Sequence, residues 1–441
     1  MHKKSSLLCL INIIFIGMVT KIISMCSRII LSRSVGIEAV SIYSLVNPIF
    51  VFLITLSSFS LPTAISALIS KHPEKGKKIF LTSSILLVLI NIPILLFVIF
   101  FDNVIANNLL HNTDTIHSIR LLLIVVPLTS ISASIKGYYL GKKEMILTST
   151  SSLVEECSRL ISVILLTNVF LNLDNSLKAT SFIIVMIIGE IVQTTYLILS
   201  SNRKYIKNIR KMRDVLNKEN HIFNEVLDIS FPLTLSRLIT SFTYMLEPII
   251  LTTILINLGQ DAQNISIEYG IISSYVMPLL MMPSFFSLSI SNYLLPNISS
   301  LAGSNKYKDA HLLFHRILLI TFIIGLFISI IFFLFGGELL KLIYNVDLGK
   351  DEIKTLSIPF VIYYIEGPIN ITMHALNLSK HAFKSSIICS VTRIVMMIFL
   401  LNKFGVIAST YATLISCFLD VIINYLTIVN TFKRNYVNAI H

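Results

Sequence analysis

Charge is scarce in this chain. Of its 441 residues only 13% are Asp, Glu, Lys or Arg, against about 25% in a soluble domain, and mean hydropathy is +0.82. No polar stretch is long enough to fold as a separate soluble domain; the longest, residues 202–228, is 27 residues rich in Lys and Arg. The apolar surface therefore has to be buried in lipid, where every backbone amide must be satisfied internally, and helices do that within one segment. The apolar runs lack the roughly ten-residue alternation of barrel strands, which excludes a β-barrel. The five cysteines, Cys9, Cys26, Cys157, Cys389 and Cys417, form no CxxC pair and all fall inside apolar runs. Neither a disulfide framework nor a zinc site is indicated, and they read as buried small hydrophobes.

Enzyme signatures are missing too. There is no GxxxxGK[ST], no HExxH and no GxSxG, so the chain is not expected to be an enzyme, to power itself with ATP, or to need a metal or other cofactor. The opening Met1-His2-Lys3-Lys4 and the apolar run after it lack an Ala-x-Ala site, and Lys21 interrupts the run. This segment reads as a first helix rather than a signal peptide. Tryptophan is absent while Ile, Asn, Lys and Ser abound, a composition that fits a low-GC bacterium.

Twelve spans are expected, at 7–27, 43–70, 80–101, 117–139, 153–172, 180–200, 229–256, 269–293, 312–336, 356–377, 385–401 and 405–430. They make an all-α polytopic membrane protein with a six-helix lobe (1–200), a basic connector (201–228) and a second six-helix lobe (229–441). With the N-terminus inside, 21 Lys and Arg fall in cytoplasmic loops and 7 on the other side. That ratio places both termini in the cytoplasm. The net charge of +12 thus reports orientation and contact with anionic lipid head groups rather than nucleic acid.

The halves read as copies. Pro48 and Pro278 differ by 230 positions, and at nearly that offset Ile69-Ser70 meets Ser299-Ser300 and Lys75–Lys78 meets Asn305–Lys308. Lys136–Lys143 then matches His374–His381 at an offset of 238, followed by Arg159 and Arg393. Six spans per half make the repeat parallel, an arrangement that places substrate in a central cavity between the halves.

A charge at mid-span costs about 2.5–3.5 kcal/mol and needs a reason. Gly17, Lys21, Ser24 and Arg28 share one helical face in the first span, widened by Thr20 and Ser27. Thr234, Arg237, Ser241 and Tyr244 do the same in the seventh, flanked by Thr240 and Glu247. Two mainly cationic stripes suit an anionic substrate, since a guanidinium grips phosphate oxygens through a planar fork. Lys21, Ser24, Arg28, Arg237, Ser241 and Tyr244 are the candidate substrate-binding residues. Two plainer readings stand beside this one: Arg28 snorkelling to the surface, and Arg237 pairing with Glu247. Glu190, Glu247, Glu366 and Asp420 are candidates to bind a coupling Na⁺ or H⁺, or to act as partners for neighbouring cations. Gly367-Pro368 after Glu366 marks an expected kink. Glu155, Glu156 and Arg159 have the spacing of a local ion-pair network.

Two segments then carry a resemblance. Gly36-x-Glu38-x-x-Ser41-x-Tyr43-x-x-x-x-Pro48 with Leu61-Pro62-x-Ala64-Ile65-Ser66, and Lys136-Gly137-Tyr138-Tyr139-Leu140-Gly141 followed by Glu156 and Arg159, resemble the polysaccharide-biosynthesis flippases related to stage V sporulation protein B. That family belongs to the multidrug/oligosaccharidyl-lipid/polysaccharide (MOP) superfamily, with the lipid II flippase MurJ and the MATE drug exporters. Ser41 stands where relatives often have Gly, and the second-half counterpart of the Lys-Gly-Tyr segment keeps little beyond Leu378 and Lys380. The resemblance implies two six-helix lobes around a central cavity. It also implies alternating-access transport of an undecaprenyl-pyrophosphate-linked oligosaccharide, of the peptidoglycan-precursor (lipid II) type, across the bacterial cytoplasmic membrane, with a role in sporulation as a candidate setting. Lys21 and Arg28 are the positions that would fill the role of that group's cationic first-helix residues. Membrane lipids, a coupling Na⁺ or H⁺ and cell-wall synthesis proteins are candidate partners. The competing readings are a MATE-like cation-coupled drug antiporter and a non-transporting scaffold for cell-wall assembly.

Overall fold

The computed structural model describes residues 2–200 and 220–438. All regular structure among the described residues is helical. The first part comprises α1 (His2–Val35), α2 (Ile37–Ser58), α3 (Leu61–Lys71), α4 (Gly76–Val104), α5 (Ile116–Gly141), α6 (Met145–Leu171) and α7 (Asn175–Ser200). Then come α8 (Asn220–Asn257), α9 (Ala262–Ile271), α10 (Met277–Met281), α11 (Phe285–Gly303) and α12 (Tyr307–Tyr344). The chain ends with α13 (Lys350–Ser357), α14 (Val361–Ala375), α15 (Ser379–Phe404) and α16 (Ala408–Asn438).

Nine stretches among the described residues are long and apolar enough to cross a membrane, and one, Ser379–Arg434, contains both α15 and α16. Two further segments fall short for identifiable reasons. In α6, Glu155, Glu156 and Arg159 enter every membrane-length window; α13 and α14 are each too short alone, separated at Ile358-Pro359-Phe360. Twelve helical segments result, matching the expected dozen.

Contacts divide the chain into two units, Met1–Met245 and Leu246–His441. The division falls inside α8, and packing explains why. Ile222 and Val226 on its first turns join the first unit's core with Leu61, Ala64, Ile65, Leu68 and Ile69 of α3, Ile79 of α4, Tyr138 and Tyr139 of α5, and Leu197 of α7. Residues 220–228, expected in the connector, are thereby helical; residues 201–219 of that connector, with its seven basic residues, lie outside the described residues.

Within this core, glycines let backbones touch. A Cβ at Gly137 would stand 2.5 Å from the Pro62 carbonyl oxygen, and one at Gly141 would stand 2.8 Å from Ile69 Cβ. The Leu61-Pro62-x-Ala64-Ile65-Ser66 and Lys136–Gly141 motifs are thus two sides of one helix contact. Ser70 Oγ donates to the Gly141 carbonyl at 3.2 Å, and the Tyr139 hydroxyl donates to the Leu197 carbonyl. The second unit repeats the device: Ser299 Oγ donates to the Ala375 carbonyl at 3.3 Å, in a core of Leu294 and Ile298 (α11), Ala310 and Phe314 (α12), Met373 (α14) and Ile428 (α16). Ala64 with Leu294, and Leu68 with Ile298, keep the 230-residue offset.

The helices break where backbone donors are lost or special conformations occur. The single span expected at 43–70 is interrupted at Phe59 and Ser60, both left-handed (φ 46° and 48°), a state costing an L residue about 1–2 kcal/mol. Pro62 then starts α3 at a position that needs no N–H. Between α9 and α10 the chain widens into a π turn at Ile272–Val276. Pro278 two residues on offers no N–H to the Ser274 carbonyl there. The kink expected at Gly367-Pro368 is absent as a break: α14 runs through Pro368, and the interruption falls earlier, at Pro359.

Gly137→Ala should lower thermal stability in detergent by about 1–3 kcal/mol through overpacking against Pro62. Gly303→Ala, where a Cβ meets nothing within 4 Å, should leave it unchanged. Equal melting temperatures for the two variants would refute the close α3–α5 contact.

Candidate functional site

The polar chemistry of the first unit gathers around α6. Glu155, Glu156 and Arg159 lie on adjacent turns, and Arg159 serves three carboxylates. Its Nη2 is 2.5 Å from Glu155 Oε1 and 3.7 Å from Glu190 Oε1 of α7, and its Nη1 is 3.2 Å from Glu156 Oε1. Lys136 of α5 reaches Glu155 Oε2 at 3.5 Å, and Gln193 of α7 donates to the same oxygen. Ser132 Oγ donates to Glu190 Oε2 at 2.5 Å. The side chains of Glu155, Glu156 and Glu190 are only 10%, 13% and 8% exposed. Gly189 makes the arrangement possible: a Cβ there would stand 2.6 Å from Arg159 Nε, so the guanidinium crosses α7 where a side chain is missing.

The expected local network of Glu155, Glu156 and Arg159 is therefore present and larger than the i, i+3 and i, i+4 spacing showed. Lys136 and Glu190 join it from other helices. Glu190 is a partner to Arg159, the plainer of its two sequence readings.

The stripe on α1 faces this cluster, because α1 packs along α6. Ser24 donates a hydrogen bond to Glu156, and Lys21 lies within electrostatic reach of the same carboxylate. Lys21 and Arg28 are themselves exposed, and neither forms an ion pair among the described residues. Arg28 and Arg159 both lie within electrostatic reach of Tyr43 on α2. The Tyr43 ring stacks on Phe182 at 4.4 Å, and its hydroxyl donates to Asn47 Oδ1 at 3.2 Å. Asn47 Nδ2 in turn donates to the Tyr244 hydroxyl of α8 at 3.3 Å. Tyr244 is thus tied to α2 through Asn47, a residue that sequence reasoning passed over.

Along the rest of the α8 stripe, Thr234 and Ser241 are buried and spend their hydroxyls on their own helix, on the Ser230 and Leu238 carbonyls. Arg237 is exposed. It does not pair with Glu247: Glu247 forms its ion pair with Arg393 of α15, in the second unit. Arg393 is the sequence counterpart of Arg159, so each unit buries one arginine against carboxylate.

Glu366 and Asp420 are different. Among the described residues neither has a Lys or Arg within ion-pair distance; their hydrogen-bond donors are neutral, and the two carboxylates lie within electrostatic reach of each other. Glu366 of α14 accepts from Cys417 Sγ at 3.3 Å and from Asn370 at 3.2 Å, and Asn370 meets Asn424 at 3.1 Å. Asp420 of α16 accepts from Ser385 at 2.5 Å and from Cys389 Sγ at 3.7 Å. Cys389 and Cys417, expected as plain apolar filler, are hydrogen-bonded to carboxylates. No group of three or more His, Cys, Asp or Glu suited to hold a metal ion occurs among the described residues.

Gly189→Ala should dislodge Arg159 and leave three buried carboxylates short of a partner. The expected cost is about 3–5 kcal/mol, as for breaking a buried ion pair, read as a lowered melting temperature. A melting temperature unchanged from wild type would contradict the placement of the guanidinium over Gly189.

Comparison with known proteins agrees with these observations. The polysaccharide biosynthesis protein family matches residues 10–302. The chain is 29% identical over 398 residues to stage V sporulation protein B of Bacillus subtilis (strain 168), covering 88% of this chain and 76% of that protein. Among solved structures, an inward-facing multidrug resistance MATE family transporter of the MOP superfamily superposes with a TM-score of 0.75 at 13% identity, over 94% of this chain and 95% of that one. The lipid II flippase MurJ in an inward closed conformation gives 0.70 at 17%, over 98% and 91%. The chain is a multi-pass membrane protein with the MATE- and MurJ-like transporter fold, and it belongs to the polysaccharide biosynthesis protein family.

Proposed function

We propose that the protein is a flippase that moves an undecaprenyl-pyrophosphate-linked oligosaccharide, a peptidoglycan precursor of the lipid II type, from the inner to the outer leaflet of a bacterial cytoplasmic membrane. Transport proceeds by alternating access, with both termini in the cytoplasm. Lys21, Arg28 and Arg237 bind the pyrophosphate, while Ser24, Ser241 and Tyr244 offer hydroxyls to the sugar. The lipid tail stays in the bilayer.

One observation carries this reading, and it concerns three cations on the polar stripes of α1 and α8. Lys21, Arg28 and Arg237 are exposed and unpaired among the described residues, whereas Glu155, Glu156, Glu190 and Glu247 are each committed to an arginine. An exposed cation within a span is expensive unless a ligand uses it. A pyrophosphate supplies oxygens for charge-assisted hydrogen bonds worth about 1.5–3 kcal/mol each.

A second reading, a MATE-like cation-coupled antiporter for drugs, is favoured by Glu366 and Asp420, two carboxylates surrounded by neutral donors. The same pair serves a flippase as the place where a coupling Na⁺ or H⁺ acts, so it does not by itself separate the readings.

Cells depleted of the protein, in a background without a redundant flippase, should accumulate lipid-linked precursor inaccessible to a reagent acting from outside. An undiminished accessible pool would defeat the proposal. Replacing Lys21, Arg28 and Arg237 individually with Ala should lower transport by about ten- to a hundredfold each, the equivalent of one charge-assisted contact. Cation-dependent dye efflux that is lost in Asp420→Asn, with precursor transport unaffected, would establish the antiporter instead.

A further inference from the structure

The buried cluster of the first unit does not balance its own charge. Three carboxylates, Glu155, Glu156 and Glu190, face two cations, Arg159 and Lys136. The helices packed against α6 are α1, α5 and α7. Among the described residues, Ser24 and Lys21 of α1 act on Glu156 itself, together with Glu155 and Arg159 of its own helix, while Lys136 of α5 reaches Glu155 and Glu190 of α7 reaches Arg159. Lys21 is the cation that completes the balance. It differs from the others in two respects. It is exposed, and among the described residues it is joined to the cluster through space rather than by an ion pair. Glu156 is the carboxylate on which it acts, and among the described residues Glu156 has a single ion-pair contact, to Arg159 Nη1 at 3.2 Å. Arg159 already divides its two terminal nitrogens among three carboxylates, and its Nε makes no hydrogen bond among the described residues.

We propose that Lys21 is an exchangeable counter-ion, shared between the Glu155–Glu156–Glu190 cluster and an anionic lipid-linked headgroup, so that engaging the headgroup draws one proton into the cluster. The inference rests on the flippase reading for the identity of the anion, but the counter-ion role does not. When Lys21 turns to a pyrophosphate, the cluster keeps three negative and two positive charges in a poorly solvated site. The net charge is restored when a carboxylate oxygen, at Glu156 or at a coupled neighbour, binds a proton from water; Lys21 stays protonated throughout. Substrate binding and proton uptake are then linked. Because the bound state holds one more proton than the free state, affinity for the anion falls as pH rises, by at most about tenfold per pH unit. Release of the headgroup on the far side returns Lys21 to Glu156 and expels the proton.

The ligand-free test uses the full chain in an ester-free detergent, with the infrared band of protonated carboxyl groups as readout. At neutral pH, Lys21→Ala should gain that band relative to wild type. Lys21→Arg, the Lys21→Ala/Glu156→Gln double variant and the control Lys403→Ala, at the end of α15, should not. Since Lys21 is exposed, its replacement leaves the packing intact. Absence of the new band in Lys21→Ala overturns the counter-ion role and leaves the flippase reading standing. The second arm adds undecaprenyl pyrophosphate to wild type. Gain of the same band, with an affinity that weakens as pH rises and loses that dependence in Glu156→Gln, supports the exchange. Binding without the band, or with a pH dependence that Glu156→Gln leaves intact, overturns it. The band in Lys21→Ala together with no binding of the pyrophosphate lipid to wild type keeps the counter-ion and sinks the flippase reading.

Discussion

One guanidinium holds the first unit's interior together, and most of what is distinctive there follows from it. Arg159 reaches three carboxylates on two helices. Burying that many charges in a poorly solvated interior is tolerable only when each is compensated and hydrogen-bonded. Gly189 opens the space for the side chain, Ser132 and Gln193 supply neutral donors, and α1 closes over the cluster with Ser24 and Lys21. In the second unit Arg393 answers Glu247. The two units thus follow one plan with different charge content.

Much of the fold was legible because lipid imposes simple rules. Twelve apolar segments, the loop charges and the proline positions suffice to count helices, since each span must satisfy its own backbone. The motifs at Leu61–Ser66 and Lys136–Gly141 were visible as a resemblance, and their physical meaning is the close approach of two backbones at Gly137 and Gly141. What sequence could not show is three-dimensional. The left-handed break at Phe59-Ser60 carries no glycine to announce it. The helix that holds Gly367-Pro368 runs unbroken through Pro368, and the break between helices falls earlier, at Pro359.

The site was legible in part. Spacing along one helix exposed the Glu155, Glu156 and Arg159 network and the stripe on α1. It could not reveal that Lys136 and Glu190 complete the network from other helices, nor that Asn47 bridges Tyr43 and Tyr244. The pairing of Arg237 with Glu247 looked natural at ten residues along one helix, yet Arg393 takes Glu247 from α15. Similarly, the cysteines read as filler until Cys417 and Cys389 were seen to donate to Glu366 and Asp420. Contacts between helices distant in sequence decide which charges are spent on structure and which remain available, and that division is the basis of the functional reading.

The central claim is that the exposed cations of the first unit serve an anionic, lipid-linked cargo. The most direct measurement reconstitutes the purified protein into vesicles and follows movement of a lipid-linked pyrophosphate saccharide between leaflets, with and without an ion gradient. Faster flipping than in empty vesicles, lost when Lys21, Arg28 and Arg237 are all replaced by Ala, is the predicted result. Flipping no faster than in empty vesicles under either gradient, or unaffected by the triple replacement, would contradict it.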